Sequence, residues 1–326
     1  MELNRLEHET FEDYFVRLFD NKAVYGLTCE QIGKLLNAEK GVDYTESAWR
    51  KEYAAFNRGR NYERGTRHYD VGERILCISD LHVPFQLPID VFAPYANRAD
   101  ALVLNGDLSD CQSISSFPKT YRVSPMEELI QTRAYLISLL QLIKPKRVIV
   151  NYGNHDLRFQ TYFSKNLDSD ILELMPKTSL ELIFVDGFRH YDKRQMTKTE
   201  YEPLCDVMPD IQFDYRDNWF CQIGDAIFAH PIAFSSAMLK TAEKSMLWFR
   251  NEGYDFRVMC IGHTHRRGRY DVGNTTLYEQ GCCCDPKQLR YTDGKLVNSC
   301  KAGYLYLCQD KDGNTIDELT RLVALD

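Results

Sequence analysis

The chain has 326 residues, 44% of them hydrophobic and 27% charged, with a formal net charge of -7. That length buries a sizeable core and suits one large domain beside a smaller one, and the composition excludes a disordered or membrane-embedded chain. The acidic balance excludes a surface coated in basic charge for nucleic acid, although it leaves room for a local basic patch.

Met1 to Glu12 is rich in Glu and has no apolar segment, so neither a signal peptide nor a transit peptide is expected and the chain is placed in the cytoplasm. Residues 1–70 lack strand-like runs and carry three helical patterns, which make a small three-helix domain. The first runs from Thr10, with Phe11, Phe15, Leu18 and Phe19 on one face. The second starts at Thr28, where Thr28 and Gln31 match a capping box, and carries Ile32, Leu35 and Leu36. The third begins near Thr45, with Trp49, Tyr53 and Phe56 at helical spacing. This order resembles a helix-turn-helix whose third helix presents Glu46, Arg50, Lys51 and Asn57 outward. A dimerisation or packing module fits the same three helices. Arg50, Lys51, Arg58, Arg60, Arg64 and Arg67, with Tyr62 and Tyr69 among them, are the candidate contacts to a phosphate backbone; a solvated linker is the plainer alternative. DNA is thus the expected partner, no membrane contact is expected, and a homo-oligomer is compatible with the sequence.

In residues 71–326 short apolar runs recur, each ending at a polar cluster. Residues 74–79 lead into Asp80-Leu81-His82, 101–105 into Gly106-Asp107-Leu108-Ser109-Asp110, and 147–151 into Gly153-Asn154-His155-Asp156. Residues 226–229 lead into His230-Pro231, and 258–261 into Gly262-His263-Thr264-His265. Helical stretches from Ser124 to Leu142 and from Ser235 to Glu252 lie between strands, so the pattern is α/β. Loops at the carboxyl ends of such strands converge above a rigid floor, which places the clusters in one pocket. Leu157 to Phe220 is long for a connection and is read as a cap over that pocket, or as a flap without substrate contact. Apolar runs such as Leu136 to Ile143 are too short to cross a bilayer. The eleven cysteines form no Cys-x-x-Cys pair, so reduced thiols are expected. Cys282-Cys283-Cys284 reads as small buried side chains, with a metal or redox role as the alternative.

The clusters supply carboxylates, imidazoles and one amide, the donor set of a two-metal hydrolytic centre. Two adjacent cations need a bridging carboxylate, and Asp107 is the candidate. Asp80 and His82 lie two residues apart at a strand end and can face one ion, which His265 completes. Asn154, His230 and His263, with Asp107, can hold the second.

These five motifs, in this order, resemble the calcineurin-like metallophosphoesterases, whose signatures read D-x-H, GDxxD, GNH[DE], a later H, and GHxH. The resemblance covers roughly residues 72–310. It implies a four-layer sandwich, two mixed β-sheets flanked by helices, and two divalent ions, with Mn2+ first and Fe or Zn2+ as alternatives. It also implies that a metal-bridging hydroxide attacks phosphorus in line, that His155 protonates the departing alkoxide, and that Asp110 hydrogen-bonds this imidazole. Asp156 is read as a local loop cap. A helix-turn-helix ahead of such an enzyme resembles phage-encoded proteins, which would work in the host cytoplasm.

The family's phosphoprotein phosphatases carry GDxxDRG and RGNHE. Here Cys111 follows Asp110 and Asn151-Tyr152 precede Gly153, so those phosphate-holding arginines are missing. Arg158 is the candidate replacement for one of them. The GNHD form is shared with the family's nucleases, so a phosphodiesterase acting on DNA is the first expectation. The alternatives are a phosphomonoesterase for a nucleotide or phosphoprotein, and a DNA-binding regulator with secondary catalysis. His8, His68 and His190 lie outside the motifs and are read as surface residues.

Overall fold

The structure is a computed structural model that describes residues 3–7, 9–63, 69–116, 123–288 and 300–325. Two compact units are present, Met1–His68 and Tyr69–Asp326. His8, Arg64, Arg67 and His68, and with them the contacts expected of the two arginines, lie outside the described residues.

In the amino-terminal unit α1 (Phe11–Asp20), α2 (Lys22–Tyr25), α3 (Cys29–Lys40) and α4 (Glu46–Glu63) follow one another. The Thr10 hydroxyl caps α1 by accepting from Asp13 N, and Thr28 with Gln31 forms the expected capping box on α3. Gly26 and Gly41 end α2 and α3 with φ of +64° and +68°, a conformation that costs glycine nothing. Tyr14, Phe15, Leu18, Phe19, Ile32, Leu36 and Trp49 make the core. The Trp49 indole N–H is satisfied by Asn37 Oδ1 at 2.8 Å. The expected aromatic stripe stops short on α4, because Phe56 is 41% exposed with the Arg60 guanidinium over its ring.

The second unit holds two mixed sheets. One has six strands in the order β13-β12-β1-β2-β3-β6. They are β1 (Val71–Ile78), β2 (Ala101–Asn105), β3 (Arg147–Asn151), β6 (Gln212–Tyr215), β12 (Gly303–Asp310) and β13 (Arg321–Ala324). The other has five, β10-β11-β9-β8-β7, comprising β7 (Phe220–Ile223), β8 (Ala226–Ala229), β9 (Val258–Ile261), β10 (Arg267–Val272) and β11 (Thr275–Gln280). Strands β1, β2, β3 and β6 run parallel, as do β8, β9 and β11.

Side chains on β1 alternate between two cores, as period-two geometry requires. Ile75 and Cys77 enter the layer between the sheets, where they meet Phe228, Val258 and Cys260. Leu76 and Ile78 pack on the other face beneath Leu129, Leu136 and Leu140 of α5 (Pro125–Ile143). The far face of the second sheet is covered by Ala242, Met246 and Phe249 of the helix Lys240–Asn251. The four layers are helix, sheet, sheet and helix, each fully buried Leu, Ile or Phe contributing about 1.5–3 kcal/mol.

The segment read as a cap or a flap is built into the fold at several points. After α6 (Arg158–Asn166), it sends Leu180, Ile183, Phe184 and Leu204 into the core and ends in β6, which pairs with β3. Its hairpin of β4 (Phe188–Asp192) and β5 (Thr197–Tyr201) is a separate two-stranded sheet, and His190 is half-buried there. Apolar residues spaced for burial in short helices gave a sequence pattern without a clear period, which hid their core role. No helix of the described residues is long and apolar enough to cross a membrane.

Candidate metal centre

Strand register assembles the loops. Ile78 of β1 lies opposite Leu104 of β2, and Asn105 lies opposite Asn151 of β3, so the three following loops emerge side by side. Ala229 of β8 is likewise opposite Ile261 of β9, which juxtaposes His230 and His263. Five of the seven expected ligands occupy left-handed backbone, with φ of +56° at Asp80, +46° at His82, +54° at Asp107, +72° at His263 and +51° at His265. Each such residue costs on the order of 1–2 kcal/mol and persists only where its surroundings enforce it. Here Asp80 N–H donates to Gly106 O at 3.1 Å and His82 N–H to Asp107 O at 3.0 Å. Gly106 has φ +82°, and a Cβ there would meet Gly153 N and the His230 ring at 2.7 Å, so glycine is required on both counts.

The donors converge in two groups. Ligand atoms of Asp80, His82 and His265 all lie within 4.8 Å of one another, as do those of Asp107, His230 and His263. In the first group His265 Nε2 is 3.1 Å from Asp80 Oδ1 and 3.1 Å from His82 Nε2. Asp107 Oδ2 lies between the groups, 3.7 Å from His82 Nε2 and 3.3 Å from His230 Nε2. In the second group His263 Nε2 is a buried atom without a hydrogen bond among the described residues, and His230 Nε2 has only the Asp107 carboxylate beside it; Asn154 Oδ1, which the sequence assigns to the same ion, is likewise buried and without a hydrogen bond. Leaving such atoms unsatisfied costs about 1–3 kcal/mol each, and carboxylates gathered in one buried site demand positive charge. A cation within each group answers both, so carboxylate, amide and imidazole donors in this arrangement fit two divalent ions.

The charge state agrees. Burial raises the Asp80 and Asp107 carboxyls, yet the imidazoles around them outweigh it, chiefly His265 at Asp80 and His230 at Asp107, and hold both well below the usual carboxylate range. Burial lowers His82, but Asp110 and Asp80 raise it to about 9; burial lowers His230, but Asp107 and Asp80 raise it to about 9. Protonated imidazoles therefore supply, without metal, the positive charge these buried carboxylates demand. Burial, reinforced by His230, pushes His263 down to about 4, so this ring offers a lone pair at neutral pH.

His155 stands at the edge of the centre, its Nε2 4.0 Å from Asp107 Oδ2. Its Nδ1 lies 2.9 Å from Asp110 O and 3.1 Å from Asp110 Oδ1. The same Asp110 Oδ1 lies 3.1 Å from His82 Nδ1, so one carboxylate orients two rings, where the sequence assigned it only the first. Arg158 places Nη2 3.0 Å from His155 Nε2 and donates through Nη1 to Asp110 O. Asp156 caps its own loop at Gly153 N and also accepts from Asp107 N, both at 2.8 Å, which ties two motif loops together.

Two neighbours carried no motif signal. Glu128 on α5 is buried, and neither carboxylate oxygen makes a hydrogen bond among the described residues. Burial, with the Asp110 charge added, pushes it up to about 8. Phe234 is half exposed with its ring edge-on to His263 at 5.8 Å, and Arg266 lies over its face. Neither position is distinguished by sequence spacing; each gains meaning only from what it lies beside. A surface cleft lined by Glu73, Asp100, Lys146 and Arg147 sits at the opposite ends of β1, β2 and β3, and its charges pair among themselves.

On α4, Lys51 and Arg58 are exposed and Arg50 is paired with Glu46 at 3.3 Å. Arg60 departs from the backbone-contact expectation. Its guanidinium is held by Asp20 at 2.8 and 3.0 Å and is largely shielded, so it ties α4 to α1.

A family model described as calcineurin-like phosphoesterase matches residues 73–267, and one described as the YonJ N-terminal domain matches residues 1–67. Over 64 residues the chain is 34% identical to the SPbeta prophage-derived uncharacterized protein YonJ of Bacillus subtilis (strain 168), an alignment spanning 20% of this chain and 16% of that protein. Among solved structures, Vacuolar Protein Sorting 29 from Cryptosporidium parvum is 14% identical and aligns over 77% of this chain and 96% of its own, with a TM-score of 0.36. A novel archaeal phosphodiesterase is 15% identical over 74% and 97%, with a TM-score of 0.34. A metallophosphoesterase from Sphaerobacter thermophilus is 14% identical over 75% and 88%, with a TM-score of 0.32.

Proposed function

The chain belongs to the calcineurin-like phosphoesterase family, and we propose that this metal-dependent phosphoesterase is a phosphodiesterase acting on DNA, with Mn2+ as its working ion and Fe or Zn2+ as substitutes. The observation that carries the metal reading is the convergence of Asp107, His230 and His263 in one buried group, with His263 Nε2 left without a hydrogen bond there, and with the buried Asn154 Oδ1 also lacking one. Asp80, His82, Asp107 and His265 would hold the first ion; Asp107, Asn154, His230 and His263 would hold the second. Divalent ions bound there would supply Lewis acidity, for activating water near neutral pH and for offsetting charge on phosphoryl oxygens.

The chain's own groups do the rest. Asp110 fixes His155 through Nδ1, so Nε2 is the nitrogen that faces the leaving group. Proton donation from it contributes about 10²–10⁴-fold. Arg158, beside Nε2, is placed to take a phosphate oxygen and release the ring for that proton transfer.

DNA as the substrate draws support from three features. The arginines that grip a phosphomonoester in the family's phosphoprotein phosphatases are missing here. Phe234 offers an exposed ring beside His263, a face on which a base can stack. Arg50, Lys51 and Arg58 lie on the third long helix, α4, of a unit read as helix-turn-helix-like, and would contact backbone phosphates.

The test offers single-stranded DNA, duplex DNA, bis-p-nitrophenyl phosphate and p-nitrophenyl phosphate to the wild type, Asp107→Ala and His155→Ala with Mn2+. The expected result is cleavage of DNA and the diester, lost in both variants. Turnover of the monoester alone would overturn the nuclease reading and favour a small phosphorylated substrate.

A further inference from the structure

Beside the centre lies a group of sulfurs that the phosphoesterase chemistry does not use. Cys282 and Cys284 follow β11 two residues apart in extended chain, so their side chains share a face, whereas Cys283 between them packs into the apolar core. Cys282 is bridged to Ala302 and Cys284 to Gln86, which fixes the segment between two neighbours. Both thiols are fully buried, and their sulfurs and a His265 ring nitrogen all lie within 4.8 Å of one another. Cys300 packs against the same cluster and puts its sulfur 3.5 Å from His265 Nδ1, although it lies outside the set of three donors that are all mutually close, so it must close on them to serve as a fourth.

We propose that Cys282, Cys284, Cys300 and Nδ1 of His265 form a further metal site, for a soft divalent cation of the zinc type. Three sulfurs and one imidazole are a zinc donor set, and bond lengths of about 2.3 Å to sulfur and 2.0–2.1 Å to nitrogen place tetrahedral S and N ligands about 3.5 Å apart. The Cys300–His265 separation already has that value. The contacts of Cys282 with backbone are long, 3.6 Å to Lys301 O and 3.8 Å to Cys284 O, so the sulfur is not committed to a strong backbone partner. Binding displaces the protons of the three thiols and of Nδ1, leaving three thiolates and an imidazolate around the ion. Because Nε2 of the same ring faces Asp80 and His82, His265 links this site to the first half of the catalytic centre. Cys300 is half-buried and gives the ion a way in.

The test needs no activity. Full-length protein, purified reduced and without oxygen, is stripped and reloaded with Co2+, and its absorption is compared with that of Cys284→Ser/Cys300→Ser; metal content of the zinc-grown proteins is measured alongside. The expected result is an intense near-ultraviolet sulfur-to-cobalt charge-transfer band in the wild type, absent from the double variant, with one zinc fewer per chain in that variant. Oxygen and nitrogen ligands in the catalytic centre cannot produce the band, so failure of that centre to load is distinguishable. A wild type without the band, or equal zinc content in both proteins, would overturn the proposal; the wild-type spectrum alone decides it if the variant fails to fold.

Discussion

The two halves of the candidate centre satisfy their donors in different ways. In the first, His82 Nδ1 rests on the Asp110 carboxylate and His265 Nδ1 faces Cys300, so each ring is oriented by another side chain. In the second, the His230 ring is oriented by backbone, Asn105 O lying 2.7 Å from its Nδ1, while Asn154 Oδ1 and His263 Nε2 make no hydrogen bond among the described residues. Side-chain supports are titratable and replaceable, whereas a strand carbonyl is neither. The first half is therefore the adjustable one and the second the fixed one, and Asp107, touching both, ties them together.

The largest effect should come from removing that tie. Asp107→Ala is expected to lower phosphoesterase activity on the order of 10³-fold or more, since several kcal/mol of charge stabilisation depends on the ions it is proposed to share. Calorimetric metal titration should show both sites weakened together; weakening of only one would break the picture of a shared ligand. Asp110→Asn comes next. Loss of this support should weaken the first ion about 10–100-fold and leave the second nearly unchanged, and it should also reduce turnover by disorienting His155. Equal loss at both ions would erase the distinction between the halves. Asn154→Ala is the complementary change, weakening the second ion while sparing the first, read from the same titration.

The smallest effect concerns stability. Glu128, behind Asp110, has its carboxyl raised from 4.5 to about 8. A raised acid favours the fold while both states are protonated, below pH 4.5, and that support is lost as pH rises through about 8. Glu128→Gln should thus be more stable than the wild type at pH 9, by on the order of 1–3 kcal/mol, with the difference shrinking towards pH 5. Thermal melts across that range check it, and a constant difference would mean that Glu128 is not the titrating group.

Much of this centre was legible in the sequence because its parts are local. A short apolar run followed by Asp-x-His or Gly-Asn-His-Asp states both a strand and the donors at its end, and the parallel register of β1, β2 and β3 needs only that pattern repeated. The capping box at Thr28 and Gln31 and the helix after Ser124 are equally local, each decided within four residues. What the tertiary structure alone decided are contacts between distant residues. Asp110 supports His82 from 28 residues away, Arg60 is claimed by Asp20 across 40, and Cys300 meets His265 across 35. The placement of β6 beside β3 belongs with these, since an edge strand after a long excursion carries no local mark of its neighbour. Secondary structure and donor chemistry are short-range properties of the chain, whereas the choice of partner for a carboxylate, a guanidinium or a thiol is made by which surfaces the folded core brings together.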